Sequence, residues 1–215
     1  MICVAISDKN IDNCLASIKN VEMAEIRLDL TEFNLDNIKK IFTQPKKLIA
    51  TLRPGNYGED ERIKKLKTAI KAGAKYVDLE YESDEGYRKK LIDFAHKNNC
   101  DVIISYHNFR NTPGIDVLNK TVRNCFKYGA DIAKIVTTAK TNIDNSRVLS
   151  LYNNPGRIVA FCMGCLGKIT RIIAPFMGAE FTYASMDEGM ATAPGQIRYT
   201  DMKDIIHKLE GILDK

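Results

Sequence analysis

The strongest constraint on the fold of this chain is a series of eight short, mostly apolar runs that recur from one end to the other. Their nearly continuous hydrophobicity, without strict alternation, is typical of parallel strands that are covered by helices. We therefore expect strands over residues 2–7, 23–30, 47–53, 76–82, 101–107, 131–139, 157–163 and 180–186.

Segments with helical periodicity separate these runs. In ERIKKLKTAIKAG (61–73), Ile63, Leu66 and Ile70 mark one apolar face, and Gly73 is a C-terminal stop signal. The same pattern predicts helices over residues 86–99, 114–129 and 201–215. The segment after the seventh run is shorter and less clear. Eight strand–helix alternations with right-handed crossovers favour an α/β fold, a closed (β/α)8 TIM barrel of eight parallel strands, over an open doubly wound sheet.

The chain contains no Pro-, Gly- or Ser-rich linker, so we expect residues 1–215 to form a single barrel domain. Its residues are 45% hydrophobic and 27% charged, which suits a sizeable buried core with a solvated exterior. The first ten residues lack the basic flank of a signal peptide, and no apolar stretch approaches the roughly 20 residues of a membrane span. We expect a cytoplasmic protein.

Neither the net charge of +5 nor the six cysteines predicts nucleic-acid or metal binding. The lysines fall singly along the predicted helices with acidic residues between them, which indicates a solvated surface. Cys162 and Cys165 form a C-x-x-C, but a zinc site needs a second pair or suitably spaced histidines. Packing of reduced thiols is the favoured interpretation.

Polar residues concentrate at the carboxyl ends of the predicted strands, where barrel enzymes place their active sites. Strand two holds Glu25, Arg27 and Asp29 at alternate positions, which predicts that they share one face. In a second interpretation these charges form a mutually paired layer that fills the barrel. The later candidates, in chain order, are Arg53, His107, Lys134, Arg171, Thr192 and Gln196.

Lys134 is the sharpest chemical signal, because apolar residues flank it on both sides in IAKIV (132–136). We predict a poorly solvated site, in which desolvation and neighbouring arginines lower the pKa of the ammonium and leave an amine that can attack a carbonyl. In the alternative, the side chain reaches solvent at the end of the strand or pairs with Asp131 or Asp29.

His107 ends the fifth predicted strand, which neighbours the strand of Lys134 in a barrel. An imidazole can take and return a proton near neutral pH, so we predict a general acid–base role beside an imine. A lone histidine is more often structural. The glycine-rich segment 163–171 lacks the spacing of a phosphate-binding loop and indicates such a loop only weakly.

Six segments in a fixed order resemble the type I 3-dehydroquinate dehydratases, and the resemblance covers nearly the whole chain. These segments are EIRLD (25–29), TLRPGNYG (51–58), SYHNF (105–109), ADIAKI (130–135), CMGCLGKITR (162–171) and ATAPGQI (191–197).

The resemblance implies that Lys134 forms an imine with 3-dehydroquinate and that His107 moves the protons of a syn elimination to 3-dehydroshikimate. It implies no metal and no organic cofactor, a small-molecule substrate, and a homodimer. Arg171 would hold the substrate carboxylate, and residues 191–197 would form a loop that closes over it. The substrate-binding residues that it implies are Glu25, Arg27, Arg53, Met163, Arg171, Thr192 and Gln196.

Two positions depart from the family pattern. Tyr57 stands where the family usually has a glutamate beside the histidine, so the orientation of His107 would depend on Glu59, Asp60 or Tyr57 itself. Thr192 stands where serine is usual, which preserves a hydroxyl. Two alternatives stay open at this point: another Schiff-base barrel enzyme of the class I aldolase type, and a barrel that binds an anion without catalysis.

Overall fold

The computed structural model describes residues 1–187 and 192–213 and forms one eight-stranded barrel. The strands are β1 (Ile2–Ile6), β2 (Met23–Arg27), β3 (Lys47–Thr51), β4 (Tyr76–Glu80), β5 (Asp101–Asn108), β6 (Ile132–Thr138), β7 (Arg157–Met163) and β8 (Thr182–Ser185). Parallel ladders join them in the order β7-β6-β5-β4-β3-β2-β1-β8. The end strands meet inside, where the rings of Phe161 and Tyr183 lie 5.6 Å apart. The predicted TIM barrel is confirmed.

Helices cover the outside of the strands, as predicted. They are α1 (Ile11–Lys19), α2 (Leu35–Phe42), α3 (Glu59–Ala72), α4 (Glu85–His96), α5 (Ile115–Lys127), α6 (Asn142–Leu149), α7 (Lys168–Ile173) and α8 (Tyr199–Leu213). Asn10 and Asn34 cap α1 and α2 by accepting bonds from backbone N–H groups of the first turn. Gly73 ends α3 with φ of 113°, a conformation that glycine adopts without strain.

Alternation along the strands divides the core into two layers. Outward-facing residues such as Ile135 are fully buried against the helices. Inward-facing residues at the amino ends, such as Met23, Tyr76 and Ile132, form an apolar floor inside the barrel. Above this floor several inward positions are polar, as at Lys134. The charged residues that line the interior cavity therefore lie in the carboxyl-end half of the barrel, which is the half that carries active sites in this fold.

Strand two is shorter than predicted, which removes Asp29 from its expected position. β2 ends at Arg27, and Leu28–Leu30 forms a 3-10 turn. The expectation that Asp29 shares the face of Glu25 is therefore wrong. The Asp29 carboxylate instead accepts a bond of 2.7 Å from Nη2 of Arg27 and orients that guanidinium.

Among the described residues, no helix is long and apolar enough to cross a membrane. All six cysteines are free thiols. Cys162 is buried and Cys165 is exposed, and no group of three or more candidate ligands in residues 1–187 and 192–213 could hold a metal ion.

We expect Ile135→Ala to lower the free energy of unfolding by about 2–5 kcal/mol, because it opens a cavity between β6 and the helices. Urea denaturation measures this loss. Ile143, which is 69% exposed, provides the matched control, and Ile143→Ala should have almost no effect. Equal losses in the two variants would contradict the two-layer core.

Candidate active site

A cavity of about 470 Å³ opens at the carboxyl ends of the strands. The structure brings all the sequence-predicted site residues to its wall. They are Glu25, Arg27, Arg53, His107, Lys134, Met163, Arg171, Thr192 and Gln196. Sequence reasoning did not name several other wall residues, among them Glu80, Phe161 and Tyr183.

Lys134 lies in β6 with only 3% of its surface exposed, so it does not reach bulk solvent. Its Nζ lies 2.9 Å from Oδ2 of Asp78, 2.9 Å from the hydroxyl of Tyr183 and 3.4 Å from Oε1 of Glu25. The sequence predicted arginines beside the Lys134 ammonium, but its charged hydrogen-bond partners are two carboxylates. The alternative partners are engaged elsewhere, since Asp131 bonds to His96 and Asp29 to Arg27.

Asp78 is the central acid of the site. Its side chain is fully buried and accepts bonds from Arg53 (3.0 Å), Ser105 (2.5 Å) and Lys134. Burial by itself raises the pKa of a carboxyl, but Arg53 and Lys134 outweigh that effect and hold the pKa of Asp78 well below its usual range. Its signal in the sequence is an acid within the apolar run YVDLEYE (76–82), a signal absent from the predicted site residues.

A second acid, Glu80, links Arg53 to helix α3. Its Oε1 lies 3.4 Å from Nη1 of Arg53, and its Oε2 accepts a 3.1 Å bond from Arg62 of α3. Arg62 also donates to the carbonyl oxygen of Leu52, immediately before Arg53. Both the backbone and the guanidinium of Arg53 are thereby fixed before any ligand arrives.

Arg171 differs from the other cations of the site because it is buried without an acidic partner among the described residues. It lies in α7, is 1% exposed, and its guanidinium carbon sits 4.1 Å from the centre of the Phe161 ring. Within the described part of the chain, its Nε and Nη2 have no hydrogen-bond partner. Burial lowers the pKa of Arg171 to about 10. A buried, unpaired guanidinium beside a cavity is costly to the free protein and suited to binding a carboxylate.

Residues 192–197 pack on the turn that follows β7. The amide oxygen of Gln196 accepts a 2.8 Å bond from the backbone of Thr192, and the carbonyl oxygen of Pro194 accepts a bond from Gly164. Gly195 has φ of 79°, and a Cβ there would lie 2.5 Å from the oxygen of Gly164. Glycine is therefore required for this contact. Ala191, in the predicted closing loop, lies outside the described residues.

None of the three residues considered as partners for His107 reaches it. The hydroxyl of Tyr57 donates to the carbonyl oxygen of Thr31, while Glu59 and Asp60 are exposed in the first turn of α3. In residues 1–187 and 192–213 no side chain hydrogen-bonds the His107 ring, which stacks on Phe109 with centroids 6.1 Å apart. The ring is therefore placed by stacking and by β5.

The electrostatic surroundings keep the His107 ring neutral. Burial lowers its pKa well below the ordinary value of 6.5, and the positive charges of Arg53 and Lys134 lower it further. Asp78 acts in the opposite direction but is outweighed. An unprotonated imidazole at the cavity wall is in the correct form to accept a proton.

The family model described as type I 3-dehydroquinase matches residues 2–212 of this sequence. The chain belongs to this family. It is 37% identical over 220 residues to the 3-dehydroquinate dehydratase of Methanococcus maripaludis strain C7, covering 96% of this chain and 98% of that protein. It is 34% identical over 220 residues to the same enzyme of Thermococcus gammatolerans, covering 98% and 100%.

Solved structures of type I 3-dehydroquinases share the barrel. The 3-dehydroquinate dehydratase of Aquifex aeolicus matches with a TM-score of 0.84 and 28% identity, covering 97% of this chain and 98% of that chain. The Clostridium difficile type I enzyme matches with a TM-score of 0.88 and 23% identity, covering 98% and 92%, which shows the common fold. The family is one of hydro-lyases, which argues against both the aldolase-type and the non-catalytic alternatives.

The low pKa of His107 predicts a specific loss of stability in acid. Below about pH 6.5 His107 is protonated in the unfolded chain but not in the folded protein. The free energy of unfolding therefore falls as the pH drops towards the pKa of His107 in the folded protein. His107→Asn should remove this contribution and flatten the decline between pH 7 and pH 5, measured by urea titrations. His207→Asn, at an exposed ring of α8, is the control and should decline like the wild type. Parallel curves for all three proteins would show that folding does not lower the pKa of His107.

Proposed function

We propose that this chain converts 3-dehydroquinate to 3-dehydroshikimate and water through an imine on Lys134. One observation carries the proposal: a buried lysine amine lines the same cavity as a buried guanidinium whose Nε and Nη2 have no hydrogen-bond partner among the described residues. A carbonyl acid that pairs with Arg171 would present its ketone within the same enclosed space as Nζ.

Arg171 would bind the substrate carboxylate. A bidentate pair supplies the partners that its nitrogens lack and fixes the direction of the ring. Thr192 and Gln196 lie at the same wall, where a hydroxyl and an amide can complete the carboxylate site.

Three charged residues at the β2 and β3 ends would hold the ring hydroxyls. Arg27 and Arg53 are already oriented by Asp29 and Asp78, and Glu25 accepts a 2.7 Å bond from the hydroxyl of Thr51. Because these groups are held in place beforehand, little side-chain entropy is lost when the ligand binds.

The imine would form after Lys134 passes a proton to Asp78, whose carboxylate oxygen is 2.9 Å away. The free amine adds to the C3 ketone and water leaves, which produces an iminium that withdraws electrons from C2. Met163, Val136 and Phe161 form an apolar wall beside this position. Such a wall limits hydrolysis of the iminium before elimination.

His107 would then remove a proton from C2 and pass it to the hydroxyl that leaves C1. The C2–H electron pair becomes the π bond of C2=C3 and the C=N π pair moves to nitrogen, which gives an enamine. The nitrogen pair then re-forms C=N, the C2=C3 pair becomes C1=C2, and the C1–O bond breaks with loss of water, which leaves a conjugated iminium. Hydrolysis of this iminium releases the product and the amine. One base on one face of the ring gives syn stereochemistry.

The expected homodimer and the expected cytoplasmic location stay predictions. Light scattering after gel filtration checks the former, and cell fractionation checks the latter.

Borohydride reduction in the presence of 3-dehydroquinate should attach one ligand to Lys134, read by intact mass and peptide mapping. Lys134→Ala should abolish both the adduct and turnover, because no other amine occupies this cavity wall in the described residues. Lys140→Ala is the control, since Lys140 is exposed just beyond β6. Turnover by Lys134→Ala at the wild-type rate would disprove the imine route.

Arg171→Met should raise the KM for 3-dehydroquinate about 10- to 100-fold, because a hydrogen bond to a charged group contributes roughly 1.5–3 kcal/mol. The same substitution should leave the free protein equally or more stable, since it removes an unpaired buried charge. Steady-state kinetics and thermal melting measure the two effects. Arg110→Met, at an exposed position after β5, controls for the general loss of positive charge. An unchanged KM in Arg171→Met would contradict the carboxylate role.

A further inference from the structure

Tyr183 brings a hydroxyl to the reacting nitrogen of the proposed mechanism. It lies in β8, is 2% exposed, and its oxygen is 2.9 Å from Nζ of Lys134. Its ring is held between Phe161 and Phe181, each with its centroid 5.6 Å away. Tyr183 and Lys134 line the same cavity, in which a ligand carbonyl would meet the amine.

The groups that contact Nζ differ in what they can exchange with it. Asp78 and Glu25 are carboxylates, which only accept hydrogen bonds while they are ionised. A phenol accepts through its oxygen and donates through its O–H at the same time. Among the described residues that hydrogen-bond Nζ, Tyr183 is the one that can do both in its resting form.

Imine formation requires this double capacity. When an amine adds to a ketone, the nitrogen carries an excess proton and the former carbonyl oxygen carries the negative charge. Both atoms are bonded to the same carbon, so direct transfer between them would pass through a strained four-membered arrangement. A group that touches the nitrogen and can reach the oxygen removes this obstacle.

We infer that Tyr183 is a further catalytic residue, whose phenol relays a proton from Nζ of Lys134 to the carbinolamine oxygen. This inference rests on the imine mechanism proposed above. Tyr183 accepts the proton of the nitrogen while its own proton moves to the oxygen, and the phenol is neutral before and after the transfer.

The remaining protons balance through Asp78. The Asp78 carboxylate takes one proton from the ammonium, and the amine electron pair then forms the C–N bond as the carbonyl π pair moves to oxygen. Tyr183 relays the second proton, which gives a neutral carbinolamine. Asp78 then returns its proton to the hydroxyl, the C–O bond breaks, and the nitrogen pair forms the C=N bond. One water leaves and the iminium keeps one N–H.

The electrostatics of the site favour a relay over a phenolate. Burial, followed by the negative charges of Glu25 and Asp78, raises the pKa of Tyr183 well above its ordinary value. A tyrosine that simply lost its proton would place a third negative charge beside two carboxylates. Concerted transfer avoids that charge.

Tyr183→Phe tests the relay, because it keeps the packed ring and removes only the oxygen. Samples mixed with 3-dehydroquinate are quenched with borohydride at successive times, and intact mass gives the rate of imine formation on Lys134. We expect this rate to fall by about 100-fold, within the range of general acid–base catalysis, while the final adduct yield is unchanged.

The solvent isotope effect distinguishes a relay from a structural role. In the wild type, imine formation should slow in D2O with a curved dependence on the deuterium fraction, because two protons move together. Tyr183→Phe should lose this curvature. Displacement of Lys134 by altered packing would slow the reaction but would leave the number of protons in flight unchanged.

Tyr76→Phe is the matched control. Tyr76 is equally buried, belongs to the same inward aromatic cluster, and has its ring centroid 6.1 Å from that of Phe181, but it lies at the amino-end floor of the barrel. Its loss of a hydroxyl should leave the rate of imine formation at the wild-type value. Thermal melting shows whether both variants are folded.

The outcomes separate the two proposals. If the wild type gives no adduct, the imine mechanism fails and the relay fails with it. If the wild type gives the adduct and Tyr183→Phe forms it as fast, or with the same isotope curvature, the relay is overturned while the imine mechanism stands.

Discussion

The ion pair between Lys134 and Asp78 is the interaction on which the rest of the site depends. It places an ammonium inside the barrel, 2.9 Å from a fully buried carboxylate. Removal of one member of a buried pair typically costs about 3–5 kcal/mol, because the other charge is left without compensation. Arg53 and Ser105 complete the bonds of the acid, and Glu80 then ties Arg53 to α3. A residue of the outer helix α3 thereby helps to hold the groups that surround Nζ of Lys134.

The cations of the cavity differ in whether they are paired with acids. Lys134, Arg27 and Arg53 are paired with acids, whereas the described surroundings of Arg171 leave two of its nitrogens without bonds. In the proposed mechanism the paired groups contact the reacting ring, and Arg171 binds the substrate carboxylate. Burial, followed by the positive charges of Arg53 and Lys134, lowers the pKa of His107, so its ring is neutral without the glutamate usual in the family. Electrostatics replaces a direct partner here, and stacking on Phe109 supplies the orientation.

Most of the architecture could be predicted because it depends on local patterns. The apolar runs and helical segments predicted eight strands with helices between them, and the barrel places every predicted candidate except Asp29 at one cavity. One error was also local in origin. The run 23–30 was predicted as one strand, yet the chain turns after Arg27, and no periodicity signals a 3-10 turn that is formed by so few residues.

The sequence by itself determined the barrel, the buried position of Lys134 and the family, since these depend on hydrophobic periodicity and on motif order along the chain. Only the tertiary structure decided which groups surround the amine. Asp78 and Tyr183 lie 56 and 49 residues from Lys134, on strands that closure of the barrel brings to one interior. Interactions between side chains depend on distance and direction in space, and a linear pattern records neither.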